Sequence, residues 1–127
     1  LRTGFPFRVE SLTGQHIARA RRSSRPMLRH QVFFWLKRPG NLEDRAALIA
    51  GLRTLGGIEQ VRVLHIGTPA PTEARDVVDA SFDVSELMEF TSAADQKAYQ
   101  DHPLHLAFVA QCEHLWARVV VYDTLEV

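Results

Sequence analysis

The residues whose types and spacing could do chemistry lie in one segment, residues 98–108. Tyr99 and His105 stand on either side of Pro103 there. Proline lacks a backbone N–H and clashes with the preceding turn, so a helix running through Tyr99 must end near His102. A new helix can begin with Pro103 in its first position. The phenol and the imidazole therefore lie at one helical joint, where we expect them to face a common cavity.

The pair suggests acid–base chemistry. Imidazole titrates near neutral pH, which makes His105 a candidate general base. Removing a proton next to a carbonyl leaves an enolate oxygen that needs a hydrogen-bond donor, and Tyr99 can supply one. The alternative is that His105 only bonds the backbone at the helix start. For His102 we expect a structural role, satisfying backbone donors at the break.

Glu86 is a second candidate, because the strand pattern turns it toward the interior. A buried carboxylate must be paired or protonated, since unpaired burial is costly. Pairing with His30 or His105 would raise the pKa of that histidine. Alternatively, a strand irregularity turns Glu86 to solvent, or it pairs with an arginine. Two histidines and a carboxylate can also bind a transition metal, but no local spacing motif supports this, and we predict no metal and no cofactor.

Hydrophobic periodicity predicts the elements that position these residues. They are a strand over residues 28–37, a helix over 41–55, strands over 60–66 and 80–90, helices ending near 99 and beginning at 103, and a strand over 118–123. Side chains alternate along a strand. The first strand therefore places Val32 and Phe34 beside His30, and the third groups Phe82, Val84, Glu86, Met88 and Phe90.

Capping residues and apolar stripes mark the helices. Asn41 and Ser92 each precede an aspartate by three residues, which is the spacing of an N-cap. Gly56-Gly57 ends the first helix. The side chains expected to be buried are Ala46, Ile49, Leu52 and Leu55 on the first helix and Leu104, Phe108, Cys112 and Leu115 on the last.

The element order is β-α-β-β-α-β, the ferredoxin-like α+β arrangement with an antiparallel sheet. Helices cover one face of such a sheet, and the apolar residues of the other face need a second layer. Another copy of the same sheet is the simplest source of that layer. We therefore predict a homodimer of facing sheets, with Phe34 and Phe90 of each subunit in the interface.

Composition sets the class of protein. The chain has 127 residues, of which 46% are hydrophobic and 24% charged, as in one ordinary domain. It lacks an apolar run of the roughly 20 residues that span a membrane, and its start does not resemble a secretory signal, so we expect a cytoplasmic protein. A lone cysteine, Cys112, excludes an internal disulfide and fits a core position.

Charge divides the chain in two. Residues 1–26 carry six arginines and one glutamate, whereas residues 27–127 carry nine lysines or arginines and fourteen acidic residues. We predict a basic N-terminal extension over 1–26, with a short helix over 11–22 and a linker, followed by one domain over 27–127. The acidic domain argues against nucleic-acid binding.

Five segments match a known family. They are Leu28-Arg29-His30-Gln31-Val32, Gly56-Gly57, Met88-Glu89-Phe90-Thr91-Ser92, Tyr99-Gln100-Asp101-His102-Pro103-Leu104-His105 and Val119-Val120-Val121-Tyr122-Asp123. Through them, residues 27–127 resemble the stress-responsive A/B barrel (Dabb) family of the dimeric α/β barrel superfamily. The Tyr-x-x-His-Pro-x-His block is the most specific of these segments. The resemblance implies a homodimer whose paired sheets form the barrel.

The resemblance also implies a site. One plant member is a polyketide cyclase that forms an aromatic acid by intramolecular aldol condensation, without cofactor or metal. By motif position, its catalytic tyrosine and histidine fall on Tyr99 and His105. The pocket expected from this match and from the strand faces is lined by His30, Val32, Phe34, Glu86, Phe108, Trp116, Val119 and Val121.

Two departures from the plant enzyme imply a different substrate. Residues 46–51 are mostly small where that enzyme has bulky aromatics, and Glu86 replaces an apolar residue. What the resemblance then implies is binding of a small, largely apolar carbonyl compound, with cyclase-, lyase- or isomerase-like catalysis by His105 and Tyr99. The alternative is a non-catalytic ligand-binding or stress-protective homodimer.

Overall fold

The computed structural model describes residues 27–127, so the predicted extension over 1–26 lies outside the described residues. In residues 27–127, four strands and three α-helices follow the predicted order. They are β1 (Leu28–Leu36), α1 (Leu42–Thr54), β2 (Val63–Gly67), β3 (Val84–Phe90), α2 (Ala93–Asp101), α3 (Pro103–Cys112) and β4 (Trp116–Leu125). Short 3₁₀ turns at Leu55–Gly57 and Glu113–Leu115 continue α1 and α3.

The strands form one antiparallel sheet in the order β2-β3-β1-β4, which confirms the ferredoxin-like α+β fold. β1 lies between β3 and β4. In this register Val32 pairs with Glu86 on β3, and His30 pairs with Asp123 on β4. The register therefore decides which polar side chains of distant segments become neighbours.

The predicted helix boundaries are confirmed by their caps. Asn41 Oδ1 accepts a hydrogen bond from the backbone N–H of Asp44 at 2.9 Å, and the Ser92 hydroxyl caps α2 in the same way. His102 Nδ1 accepts a bond from the backbone N–H of Leu104 at 3.0 Å, with Pro103 opening α3. The break between α2 and α3 is thus held by the cap that its sequence predicts.

The helices cover the face of the sheet that carries His30, and the core lies between them. Of the stripe predicted for the first helix, Leu52 and Leu55 are buried and Ile49 is partly buried against the core, whereas Ala46 is exposed and Leu48 is buried as well. Gly51 is also buried on α1 and lies close to Cys112 of α3, where an added Cβ would be 2.5 Å from the sulfur. Leu104, predicted to be buried, is exposed on the first turn of α3.

The third strand begins at Val84, four residues later than predicted. Asp83 is buried just before it, and its carboxylate accepts bonds from the backbone N–H groups of Leu36 and Gly40, both at 2.9 Å. This anchor interrupts the alternation. Phe82 therefore leaves the predicted face and packs edge-on against Phe33, with ring centroids 5.0 Å apart.

The aromatic pair expected at the dimer interface was assigned to the wrong face. Phe34 and Phe90 are only 3% and 0% exposed, because the helices of the same subunit cover them. β1 is apolar on both faces, so its pattern alone could not say which face the helices take. The opposite face, called the outer face here, carries a groove of about 150 Å³ lined by Phe33, Trp35, Asp79, Phe82, Arg118, Val120 and Tyr122.

Candidate functional site

A cavity of about 270 Å³ opens between the inner face of the sheet and the joint of α2 with α3. Its lining includes all ten residues that the sequence nominated for the site. They are His30, Val32, Phe34, Glu86, Tyr99, His105, Phe108, Trp116, Val119 and Val121. Three strands and two helices thus contribute side chains to one space.

Tyr99 and His105 meet at the helical joint. Tyr99 is buried at the end of α2, His105 lies in the first turn of α3, and their ring centroids are 4.7 Å apart. The two helices are separated only by the capped break at His102, which brings the residues together although they are six positions apart. A phenol and an imidazole therefore border the same part of the cavity.

A backbone bond sets the tautomer of His105. Its Nδ1 lies 3.1 Å from the carbonyl oxygen of Gln100, and a carbonyl can only accept, so Nδ1 carries the proton and Nε2 keeps its lone pair. Burial is the main cause that lowers the pKa of His105; the hydrogen bond to the Gln100 carbonyl opposes this, and the nearby His30 lowers the pKa further, so the net direction is downward. The lowered pKa favours a neutral ring whose Nε2 can act as a base. The backbone bond that was the alternative role of His105 is therefore present, and it also orients the ring.

Tyr99 has the complementary property. Burial raises the pKa of its phenol far above the ordinary value, and the nearby Glu86 carboxyl adds to the effect. The hydroxyl group therefore stays protonated at neutral pH. It can donate a hydrogen bond to an oxygen on which negative charge develops.

His30 pairs with Asp123, not with Glu86 as one sequence hypothesis held. His30 Nδ1 and Asp123 Oδ1 are 2.6 Å apart, and the partners face each other across β1 and β4. The carboxylate accepts from Nδ1, which leaves Nε2 as the free ring nitrogen. The His30 ring also packs edge-on against Tyr99 at 5.9 Å, so the aspartate holds an imidazole next to the phenol.

Glu86 lies inside the molecule without the histidine or arginine partner predicted for it. Its side chain is on the inner face of β3, it is 3% exposed, and its Oε2 has no hydrogen-bond partner in the described residues. The alternative that it turns to solvent was therefore wrong. Burial raises the pKa of Glu86 to about 8. A neutral carboxyl group at physiological pH follows from that environment.

Aromatic rings form the apolar wall of the cavity. Phe34 packs against Trp116 with centroids 5.2 Å apart, and Phe108 packs against Trp116 at 5.7 Å. Val119 and Val121 of the edge strand β4 are exposed and lie at the opening. The wall suits an apolar ligand body, while the polar side chains are grouped at the helical joint and on β1 and β3.

His30, Glu86 and His105 line one cavity, yet the metal alternative gains no support. In residues 27–127 no group of three or more His, Cys, Asp or Glu side chains is arranged to hold a metal ion. The same stretch contains no helix that is both long and apolar enough to cross a membrane.

Three residues at the site were not predicted from the sequence patterns. Val109 lines the cavity one helical turn after His105, a spacing that could have identified it. Gln100 lines it too, and its position beside Tyr99 at the end of α2 was a weaker signal. Asp123 could not be found, because its contact with His30 depends on the register of strands 93 positions apart.

Comparison with solved structures supports the fold. A Dabb family protein with a ferredoxin-like fold from Mesorhizobium loti has a TM-score of 0.65 and 23% identity, covering 81% of this chain and 99% of that one. A dimeric ferredoxin-like protein of unknown function from Thermobifida fusca has a TM-score of 0.64 and 20% identity, covering 80% of this chain and 92% of that one. The hydroxynitrile lyase from Passiflora edulis has a TM-score of 0.63 and 21% identity, covering 80% of this chain and 94% of that one.

At these identities the structural likeness establishes the fold alone. Among curated proteins no relative matches this chain. The family model described as the stress responsive A/B barrel domain, Dabb, matches residues 28–125. That match spans nearly all of the described chain, and it includes the Tyr-x-x-His-Pro-x-His block at the cavity. The chain therefore belongs to the Dabb family.

Proposed function

We propose that this protein binds a small, largely apolar carbonyl compound in its cavity and acts on it by acid–base catalysis without a cofactor. The observation that carries the proposal is the pairing of Tyr99 with His105, 4.7 Å apart at the edge of an aromatic-lined space of about 270 Å³. A cavity of this size holds a compound of about ten to fifteen non-hydrogen atoms.

The proposed step is removal of a proton from the carbon next to the carbonyl. His105 Nε2 takes the proton, and the electron pair of the C–H bond moves to form the enolate, whose charge rests on oxygen. The Tyr99 hydroxyl donates a hydrogen bond to that oxygen. Return of the proton to another atom gives an isomerase, and attack of the enolate on a second carbonyl gives a cyclase. His30, held by Asp123, is the proposed positioning residue.

One relative supports chemistry of this kind on the fold. The Passiflora edulis protein of similar structure is a hydroxynitrile lyase. This is an analogy at the level of the fold, and the residue roles proposed here rest on the cavity of this chain.

We also propose that residues 27–127 act as a homodimer, with residues 1–26 as a basic extension to this domain. Support comes from the outer face, where Phe33, Trp35 and Tyr122 form an apolar surface that the helices of the same subunit do not cover. Relatives of the same fold are described as dimeric. A second sheet packed on this face would bury those rings.

A second candidate is a ligand-binding or stress-protective dimer without catalysis. The mutual packing of Phe34, Phe108 and Trp116 favours it, because these rings build an apolar wall that binds a hydrophobic compound without any proton transfer. The two candidates differ only in whether the Tyr99–His105 pair catalyses proton transfer on the bound compound.

Proton exchange distinguishes them. Valerophenone in D₂O loses its α-proton NMR signal only as fast as it enolises, so a protein with the proposed base accelerates the loss. We expect acceleration by the wild type, a decrease of about a hundredfold or more in His105→Ala, and a smaller decrease in Tyr99→Phe. His65→Ala, an exposed histidine on β2, is the matched control. Binding without accelerated exchange in the wild type would favour the non-catalytic dimer.

A further inference from the structure

We propose that Glu86 is the specificity-determining residue of the cavity: its neutral carboxyl group donates a hydrogen bond to a second oxygen of the bound compound. The inference rests on the proposed function and names its substrate class. The ligand would be a small, largely apolar compound with two oxygen acceptors, such as a diketone or a keto ester.

Glu86 is buried with an unsatisfied carboxyl oxygen. The side chain projects from the middle of β3 between Val84 and Met88, which are both fully buried. Its Oε2 is inaccessible and has no hydrogen-bond partner in residues 27–127. A buried polar group without a partner is costly, so native structures rarely keep one without a reason. Glu86 also lines the cavity, so a ligand there can accept a hydrogen bond from its carboxyl group.

The neighbouring groups explain why the carboxyl acts as a donor. Around the cavity the titratable residues facing it are His30 on β1, Tyr99 on α2 and His105 on α3. Both histidines commit Nδ1 to other partners, His30 to Asp123 and His105 to the Gln100 carbonyl. Neither forms a hydrogen bond with Glu86 in this structure. Burial without a counter-charge disfavours the carboxylate, and the pKa of Glu86 rises to about 8.

Two donors then face one apolar space. Tyr99 offers its hydroxyl to the oxygen at the reacting carbon, and Glu86 offers its proton to another oxygen. A monoketone satisfies Tyr99 and leaves Glu86 unpaired, whereas a compound with a second carbonyl can satisfy both. A site built to hydrogen-bond an oxygen discriminates against the analogue that lacks it. We expect a preference of about tenfold, the usual result of one buried hydrogen bond.

The test compares two ketones with one carbon skeleton. Valerophenone has one carbonyl, and its γ-oxo derivative has a second. Their dissociation constants are measured by calorimetry for the full chain and for Glu86→Gln and Glu86→Leu. We expect the wild type to prefer the γ-oxo compound, Glu86→Leu to lose the preference, and Glu86→Gln, which keeps a donor, to retain it. The wild-type preference should fade between about pH 6 and pH 9 as the carboxyl ionises, whereas that of Glu86→Gln should not change.

The outcomes separate this inference from the proposed function. If both ketones bind the wild type equally, and Glu86→Leu binds them as the wild type does, the role of Glu86 is wrong while ligand binding stands. If neither ketone binds the wild type, both proposals are overturned. A preference that persists in Glu86→Leu would also overturn the inference, since another group would then hold the second oxygen. Thermal unfolding of each variant checks that it is folded.

Discussion

Glu86→Gln should be increasingly more stable than the wild type as the pH rises, because Glu86 is a buried group that the folded protein keeps protonated. Glu86 is 3% exposed, and its pKa lies near 8, compared with an ordinary 4.5. The folded protein therefore keeps the proton that the unfolded chain releases above about pH 4.5. Stability from this group is complete below that pH and is lost as the pH rises toward 8. Glutamine has no proton to lose and removes the dependence.

The magnitude follows from the size of the shift. Each pH unit between the two pKa values lowers the free energy of unfolding of the wild type by about 1.4 kcal/mol relative to the glutamine variant. From about pH 5 to pH 8 the difference between the proteins should therefore grow by roughly 4 kcal/mol. Other titrating groups, including His105, contribute to both proteins and cancel in the difference.

Urea unfolding at several pH values measures the effect. The free energy of unfolding of each protein is obtained by linear extrapolation, and the difference is plotted against pH. Glu59→Gln is the matched control: it makes the same chemical change at an exposed position. Parallel pH profiles for Glu86→Gln and the wild type would refute the reasoning, since they would mean that Glu86 ionises in the folded protein as readily as in the unfolded chain.

Three further variants test contacts that hold the site in place. Asp83→Ala should lower the free energy of unfolding by about 2–3 kcal/mol, because it leaves two backbone N–H groups without their acceptor. Gly51→Ala should cost about 1–3 kcal/mol, since a Cβ there would lie 2.5 Å from Cys112 Sγ. Val120→Glu puts a charge in the outer groove and should shift sedimentation of the proposed dimer toward the monomer.

Each of these has its own control. Asp76→Ala removes an exposed carboxylate from the loop before β3, and a loss equal to that of Asp83→Ala would show that the backbone bonds are unimportant. Adding Cys112→Ala to Gly51→Ala should recover much of the stability if the clash is the cause. Unchanged sedimentation of Val120→Glu would place the interface elsewhere, and a monomeric wild type would refute the dimer itself.

The sequence was sufficient wherever the cause was local. Pro103 must break a helix, and His102 is placed to cap the next one, so the joint that holds Tyr99 and His105 could be read from adjacent residues. Asn41 and Ser92 mark helix starts for the same reason. Alternation along β1 correctly grouped Val32 and Phe34 with His30, although it could not say which face the helices cover.

Only the tertiary structure decided which side chains of distant segments meet. The pairing of His30 with Asp123 depends on the register of β1 against β4, and local sequence does not specify register. Asp83 bonds the backbone of β1 and so moves the start of β3, which sends Phe82 to the outer face. Glu86 has no hydrogen-bond partner for Oε2, although it lines the same cavity as His30 and His105, and each of those histidines bonds another group through Nδ1. The sequence by itself determined the elements and the residues that can do chemistry, and the packing of those elements decided their partners, and with them their protonation.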